Sequence, residues 1–422
     1  MKPSFKILCL LLAAAMLLPL CACTSATIPT GGDPTQPSQP SNNVQPPRRS
    51  QDLMAGVTRN PVQSAEIPEA LYASVTDFSF ALLRNAYQEG KNTVLSPESI
   101  LTALALVANG ANGQTLSQLE QAFGASIDEL NNWFAARNPG QELVSANAIW
   151  MKEDLPVHQT FLQKNADYFG ASAYTAAMDE KTLADINDWV AKNTKDRIKK
   201  LLGKLDANTC MVLVNALTFD GEWANPYTKS DLRDGIFHAP GGDQKVTMML
   251  SEERGYLSDD KATGFIKNYS GGRYAYAALL PNEGVSVQDY LASLTGEGFL
   301  KMLENAGSTR VLATMPKYKT ECDFELTRVL QSMGVSDLFC DLADLSGISS
   351  ECLCVSSIVH KTFLEVDELG TRAGAATGVM VDTATAVPED PKIVNLDRPF
   401  VMVIYDRQTN AIVFCGVINS VA

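Results

Sequence analysis

The run VHKTFLEVDELGTRAGAATGVMVDTATAV, residues 359–387, carries two patterns that neither a plain linker nor a plain strand combines. Its first third alternates, with His360, Thr362, Leu364 and Val366 on one face and Lys361, Phe363 and Glu365 on the other. A period of two is that of a half-buried strand. An acidic turn, Asp367-Glu368-Leu369-Gly370, follows, and after it residues 371–383 are almost free of bulk. Gly, Ala and Thr dominate that run, as in a flexible linker. By parity it is more ordered. Thr371, Ala373, Ala375, Thr377, Val379, Val381 and Thr383 are all small or β-branched and uncharged, while Arg372 and Asp382 fall in the other set with Gly374, Ala376, Gly378 and Met380. A linker has no reason to sort its residues this way. A segment that must become a strand with one face against a core does.

These residues resemble the hinge of the serpin family, in which an acidic pair leads to Gly-Thr and then to small residues ending in Thr-Gly. The matching positions are Asp367, Glu368, Gly370, Thr371, Ala373, Gly374, Ala375, Ala376, Thr377 and Gly378. Leu369 and Arg372 stand where the family usually has Glu, and Arg372 lies on the outward parity, where its charge stays in solvent. The resemblance implies an α+β serpin fold, with three β-sheets, about eight or nine helices and an exposed reactive-centre loop. It also implies a suicide-substrate inhibitor of serine proteases and, by the same acyl-enzyme chemistry, of cysteine proteases. The loop is the bait, and once cut it inserts as a new central strand of the main sheet.

Counting from Glu368 as inhibitory serpins do places the reactive bond at Ala384-Thr385, whereas counting back from Pro399-Phe400 places it a few residues later. Val387-Pro388 is a poor candidate, because proline after the bond hinders cleavage. Ala384 among Thr, Val and Ala suits the shallow pocket of elastase-like or subtilisin-like enzymes. No Arg or Lys that a trypsin-like target would want occurs between Gly374 and Asp390.

Further matches lie far from this stretch. Asn92, Ser96, Pro97 and Ser99 resemble the opening of the family's second helix, with Ser96 suited to the cap and Pro97 to the first turn. MVLVNALTF, residues 211–219, has too few polar side chains for a surface strand and reads as central in a sheet. The resemblance brings its Asn215 together with Ser96, Ser99 and His360 as a latch beneath that sheet. It joins Trp223, Lys317 and Glu368 as a gate where insertion begins; an ordinary surface ion pair between Lys317 and Glu368 is the plainer alternative. SANAIWMK, INDWVAKNTKDRIKKLL, LASLTGEGFLKMLENA and the C-terminal hairpin around 408–410 continue the same order of elements, two of them as single amphipathic helices, so the resemblance spans residues 66–422.

The N-terminus reads as an export signal, residues 1–23, with Lys2 and Lys6 before an apolar run too short for a stable span. Leu20-Cys21-Ala22-Cys23 resembles a bacterial lipobox, which makes Cys23 the lipidated first residue of the mature chain; a plain cleavage site with incidental cysteines is the alternative. Residues 24–65, rich in Pro, Ser, Thr, Gln and Asn at the start, read as a disordered tether. The expected setting is the outer face of a bacterial membrane, through the lipid anchor, or the medium beyond it.

Composition supports a large globular core, with 45% hydrophobic residues in 422. A formal charge of −14 argues against nucleic acid, whose phosphates reward clustered Lys and Arg. The basic piece at 195–204 reads as a solvated helix face. Nucleotide-binding and hydrolase signatures are missing, the three histidines form no motif, and Cys352-x-Cys354 has no second pair, so an enzyme, a metal and a cofactor are not expected. The six cysteines after the leader show no disulfide-framework spacing. The expected partner is a target protease, held as a covalent acyl complex by a monomer. Two alternatives remain at this level: a non-inhibitory serpin-fold carrier, and a surface binding protein unrelated to proteases.

Overall fold

The alternation at the start of the decisive run is realised as the strand Ser357–Val366, in which Ile358, His360, Thr362, Leu364 and Val366 are the buried set. In the computed structural model, residues 50–63, 66–137, 142–206, 208–371 and 390–422 are described. The proposed lipidation site Cys23, the hinge positions Ala373, Ala375, Ala376 and Thr377, and the bond Ala384-Thr385 lie outside the described residues. All that is described belongs to one unit within Arg48–Ala422.

The strand Ser357–Val366 sits in an eight-stranded sheet. On one edge it pairs antiparallel with Tyr318–Glu325, from Val359↔Glu325 to Val366↔Tyr318. On the other edge it pairs parallel with Met211–Phe219, every residue of which is buried, but only from Ser357↔Val212 to Lys361↔Ala216. Beyond Lys361 the next pairing on that edge, among the described residues, is Val366↔Thr371. Two parallel strands are thus joined at one end and parted at the other.

Helices cover both faces of this sheet. Met211, Leu213 and Ile358 pack with Leu101, Ala105 and Val107 of the helix Pro97–Ala108, whereas Val212, Val214 and Ala216 pack with Ile186 and Val190 of the helix Glu180–Asn193. A third cluster joins Leu217, Phe219, Leu364 and Val366 to Phe265, Tyr276, Met315 and Phe400 of the six- and four-stranded sheets. The described residues hold nine α-helices and three sheets, as expected.

Three expectations need correction. The run INDWVAKNTKDRIKKLL is not one helix, because the helix ends at Asn193 and Lys195 and Asp196 take positive φ. The Asn187 side chain accepts from the backbone N–H of Leu201 and Leu202, at 2.8 and 3.0 Å, which stabilises an irregular chain whose Ile198, Leu201 and Leu202 are buried. The basic residues there are therefore not on a helix face. The stretch LASLTGEGFLKMLENA is two helices, Val287–Ser293 and Gly296–Asn305, with Thr295 capping the second through the N–H of Gly298. A Cβ on Gly296 would lie 2.4 Å from the carbonyl of Ala73, so only glycine lets the second helix abut the helix Glu69–Ala86 there.

The third correction concerns the end of the tether. Gln51–Asp52 forms a short strand on the edge strand Ser172–Ala176, and the Leu53 N–H donates to the carbonyl of Ala173. The Ser50 hydroxyl donates to Asp185 and accepts from the Trp150 indole, and Asn60 and Arg59 bond to Asp167. Leu53, Met54 and Val57, a closer set of apolar residues than the Pro- and Ser-rich part offers, pack against the core.

Candidate functional site

Two groups of side chains lie along the seam between Met211–Phe219 and Ser357–Val366. The lower one is built on the helix Pro97–Ala108, whose first turn is fixed by Pro97 and by the Ser96 hydroxyl accepting from the Ser99 N–H at 3.4 Å. That cap brings the backbone of Ser96 and Ser99 under the sheet. The Ser96 N–H donates to His360 Nε2 at 2.9 Å, and Asn215 Nδ2 donates to the Ser99 carbonyl at 2.7 Å. His360 and Asn215 are themselves register partners across the parallel ladder.

The four expected latch residues are therefore together, but His360 and Asn215 are met by the backbone of the serines rather than by their hydroxyls: the Ser96 hydroxyl caps the helix, and the buried Ser99 hydroxyl has no partner among the described residues. Their place matters, since His360↔Asn215 is the pair next to the last one before the strands part. Burial pushes the His360 imidazole down to about 3, so it is neutral and its Nε2 accepts. Two neighbours extend the group: Asn215 Nδ2 also donates to Asn147 Oδ1, and the Thr362 hydroxyl donates to the Val94 carbonyl at 2.6 Å. Asn147 and Thr362 carried no motif, and only Thr362 shared the parity of His360.

The upper group surrounds the turn Asp367–Gly370. Asp367 Oδ1 accepts from the N–H groups of Leu369 and Gly370, at 2.8 and 3.1 Å, and the Asp367 N–H donates to the Gly370 carbonyl at 3.0 Å. The turn folds the chain back so that Gly370–Thr371 pairs with Val366 on one side and with Gly221–Glu222 on the other. A Cβ at Gly370 would stand 2.2 Å from the Gly221 carbonyl, which leaves only glycine there. Thr371 is fully buried, with its hydroxyl 2.5 Å from that of Tyr269.

Trp223 and Tyr227 hold the outer side of the turn. The Trp223 indole donates to the Asp367 carbonyl at 2.9 Å, its backbone N–H to Leu369 at 2.9 Å, and the Tyr227 N–H to Glu368 at 2.8 Å. Lys317 Nζ lies 2.5 Å from Glu368 Oε2, and both side chains are about a third exposed. A pair so wetted contributes little by itself, roughly 0 to 1 kcal/mol. The three expected gate residues thus converge on one turn. Tyr269, which stacks on Trp223 at 4.5 Å and meets Thr371, was missed because an aromatic in a strand carries no sign of its partner.

Among the described residues no three His, Cys, Asp or Glu side chains gather as a metal set, and what the two groups share is their place on one seam of the sheet. Gly370–Thr371 pairs between Val366 and Gly221–Glu222 at one end of the seam, and the polar group around His360 and Asn215 lies where the parallel pairing ends on the other side.

A family model described as Serpin (serine protease inhibitor) matches residues 73–421. A serpin-like protein of Thermococcus kodakarensis is 31% identical over 81% of this chain and 84% of its own length. The native-state structure of the thermophilic serpin tengpin superposes with a TM-score of 0.82 and 39% identity, covering 88% of this chain and all of that one. Human thyroxine-binding globulin in complex with thyroxine matches with a TM-score of 0.74 and 25% identity, over 84% of this chain and 99% of its own. A family match across most of the sequence, on a fold shared with solved members, means that this chain belongs to the serpin family.

Proposed function

We propose that the protein is a suicide-substrate inhibitor of serine proteases with elastase-like or subtilisin-like preference, consumed as it acts, rather than a catalyst. The single observation that carries this reading is Thr371 seated in the slot between Val366 and Gly221, in the register that the small, inward-parity residues after it would follow. When a protease forms its acyl-enzyme at the loop, the freed hinge end extends this pairing downward. The entering strand separates the five parallel pairs from Lys361↔Ala216 to Ser357↔Val212, and the polar group of Ser96, Ser99, Asn215 and His360 is the latch it must pass.

Residues 371–384 make a strand of ~45 Å at ~3.3 Å per residue, which carries the tethered protease across the molecule. New strand pairing and apolar burial supply a drive of about 10 kcal/mol or more. Trp223, Lys317 and Glu368 form the gate where entry starts, and Glu368, Gly370, Thr371, Ala373, Ala375, Ala376 and Thr377 form the hinge.

A carrier role, like that of the thyroxine-bound relative, is the second reading. It is disfavoured by the absence of charge or bulk on the inward parity from Thr371 to Thr383. Incubation with elastase or subtilisin followed by denaturing electrophoresis tests the choice. A covalent complex supports inhibition; clean cleavage with no complex overturns it. Export and lipidation at Cys23 belong to the same proposal and are tested by Cys23→Ala, which should abolish labelling with radioactive fatty acid.

A further inference from the structure

Lys267 is almost completely buried, an unusual position for an ammonium, and nothing in the hinge or latch accounts for it. It is next to last in the strand Ala262–Asn268 of the six-stranded sheet, and its partner Glu253, 2.6 Å away and also buried, is next to last in the strand Gly242–Arg254 of the four-stranded sheet. Three further neighbours belong to the segment 221–227, and the Asp231 carboxylate just beyond it also feels the charge. The ammonium donates to the Asn225 carbonyl at 3.3 Å and lies 4.3 Å from the ring centre of Tyr227 and 5.4 Å from that of Trp223. A cation held this way, away from water, attracts both ring faces and fixes their orientation.

The same segment is what the hinge pairs with. The backbone N–H groups of Trp223 and Tyr227 donate to Leu369 and Glu368, the Trp223 indole donates to Asp367, and Gly221–Glu222 pairs with Gly370–Thr371. Between Met211–Phe219 and Lys229 the segment has little regular structure of its own, so its shape must come from what packs behind it.

We infer that Lys267, clamped by Glu253, is a positioning group that holds the 221–227 segment as the template on which the hinge starts to pair, and so sets how often a cleaved molecule traps its protease rather than releasing it. The inference rests on the inhibitory reading for its consequence, not for the template itself. A buried ion pair often contributes little net stability, and its replacement by apolar residues is frequently neutral or favourable. That separates positioning from mere stability.

The test compares Lys267→Met, Glu253→Gln and the double variant Lys267→Met/Glu253→Met with the unaltered protein. Two readouts are taken: the ratio of covalent complex to free cleaved inhibitor with elastase or subtilisin, and the hydrogen exchange of the Trp223 and Tyr227 amides. The double variant should fold and melt near the parent temperature, yet shift several-fold towards cleaved inhibitor and exchange those two amides at least several-fold faster. The single variants should shift the same way while losing stability as well. If the double variant keeps the parent's ratio and protection, the pair only fills space and the inference is overturned. If the parent itself gives only cleaved protein, the inhibitory reading fails; amide exchange then decides the template role alone, faster exchange supporting it and unchanged exchange refuting it.

Discussion

His360 is the residue whose chemistry is most constrained by its place. Its imidazole is buried and neutral in the folded protein, with a pKa near 3, whereas in the unfolded chain it titrates near 6.5. The unfolded state therefore binds a proton that the folded state refuses. Stability from this residue is complete above about pH 6.5 and falls by about 1.4 kcal/mol per pH unit from there down to about pH 3. His360→Gln should flatten that part of the pH dependence. Urea midpoints at pH 7 and pH 4.5 check it, and an unchanged pH dependence would contradict the account of the latch. His360→Ala leaves the Ser96 N–H without its acceptor and should cost about 1 to 3 kcal/mol at pH 7. Thr371 answers to sterics instead. It is fully buried against Tyr269, so Thr371→Arg cannot seat and should turn the inhibitor into a substrate, seen as cleaved protein without complex on a denaturing gel.

At the scale of elements, the strands were the most legible part. Alternation in 360–366 and the largely apolar run 211–219 name a buried face directly, and the structure keeps both. The runs 291–306 and 186–202, each read as one helix, were misread for one physical reason. Apolar spacing continues through Leu294 and through Ile198 to Leu202, but Thr295 and Asn187 supply competing hydrogen bonds that end a helix without disturbing the apolar pattern. The candidate site divides in the same way. Glu368, Gly370, Thr371 and His360 stand in one run of sequence and could be read together, while Tyr269, Lys267 and Glu253 reach the site only through tertiary packing. The strand Gln51–Asp52 escaped notice because two residues are too short for a period. Its packing and hydrogen bonds predict that deleting residues 50–62 lowers the melting temperature by a few degrees, measured by calorimetry.

The folded unit is organised around a sheet in which, among the described residues, the strands Met211–Phe219 and Ser357–Val366 pair at one end only. Its parallel ladder ends at Lys361↔Ala216, and the seated Gly370–Thr371 pair stands beyond the gap. If the described form is held short of its most favourable pairing, its persistence is kinetic, and cutting the loop must release the remainder. The direct test is the thermal unfolding of intact protein against protein nicked in residues 379–388 and freed of protease. With a drive of about 10 kcal/mol, the nicked form should melt higher by about 10 °C or more. A nicked form that melts at or below the intact one would mean that no strand enters the sheet, and the inhibitory account would be wrong.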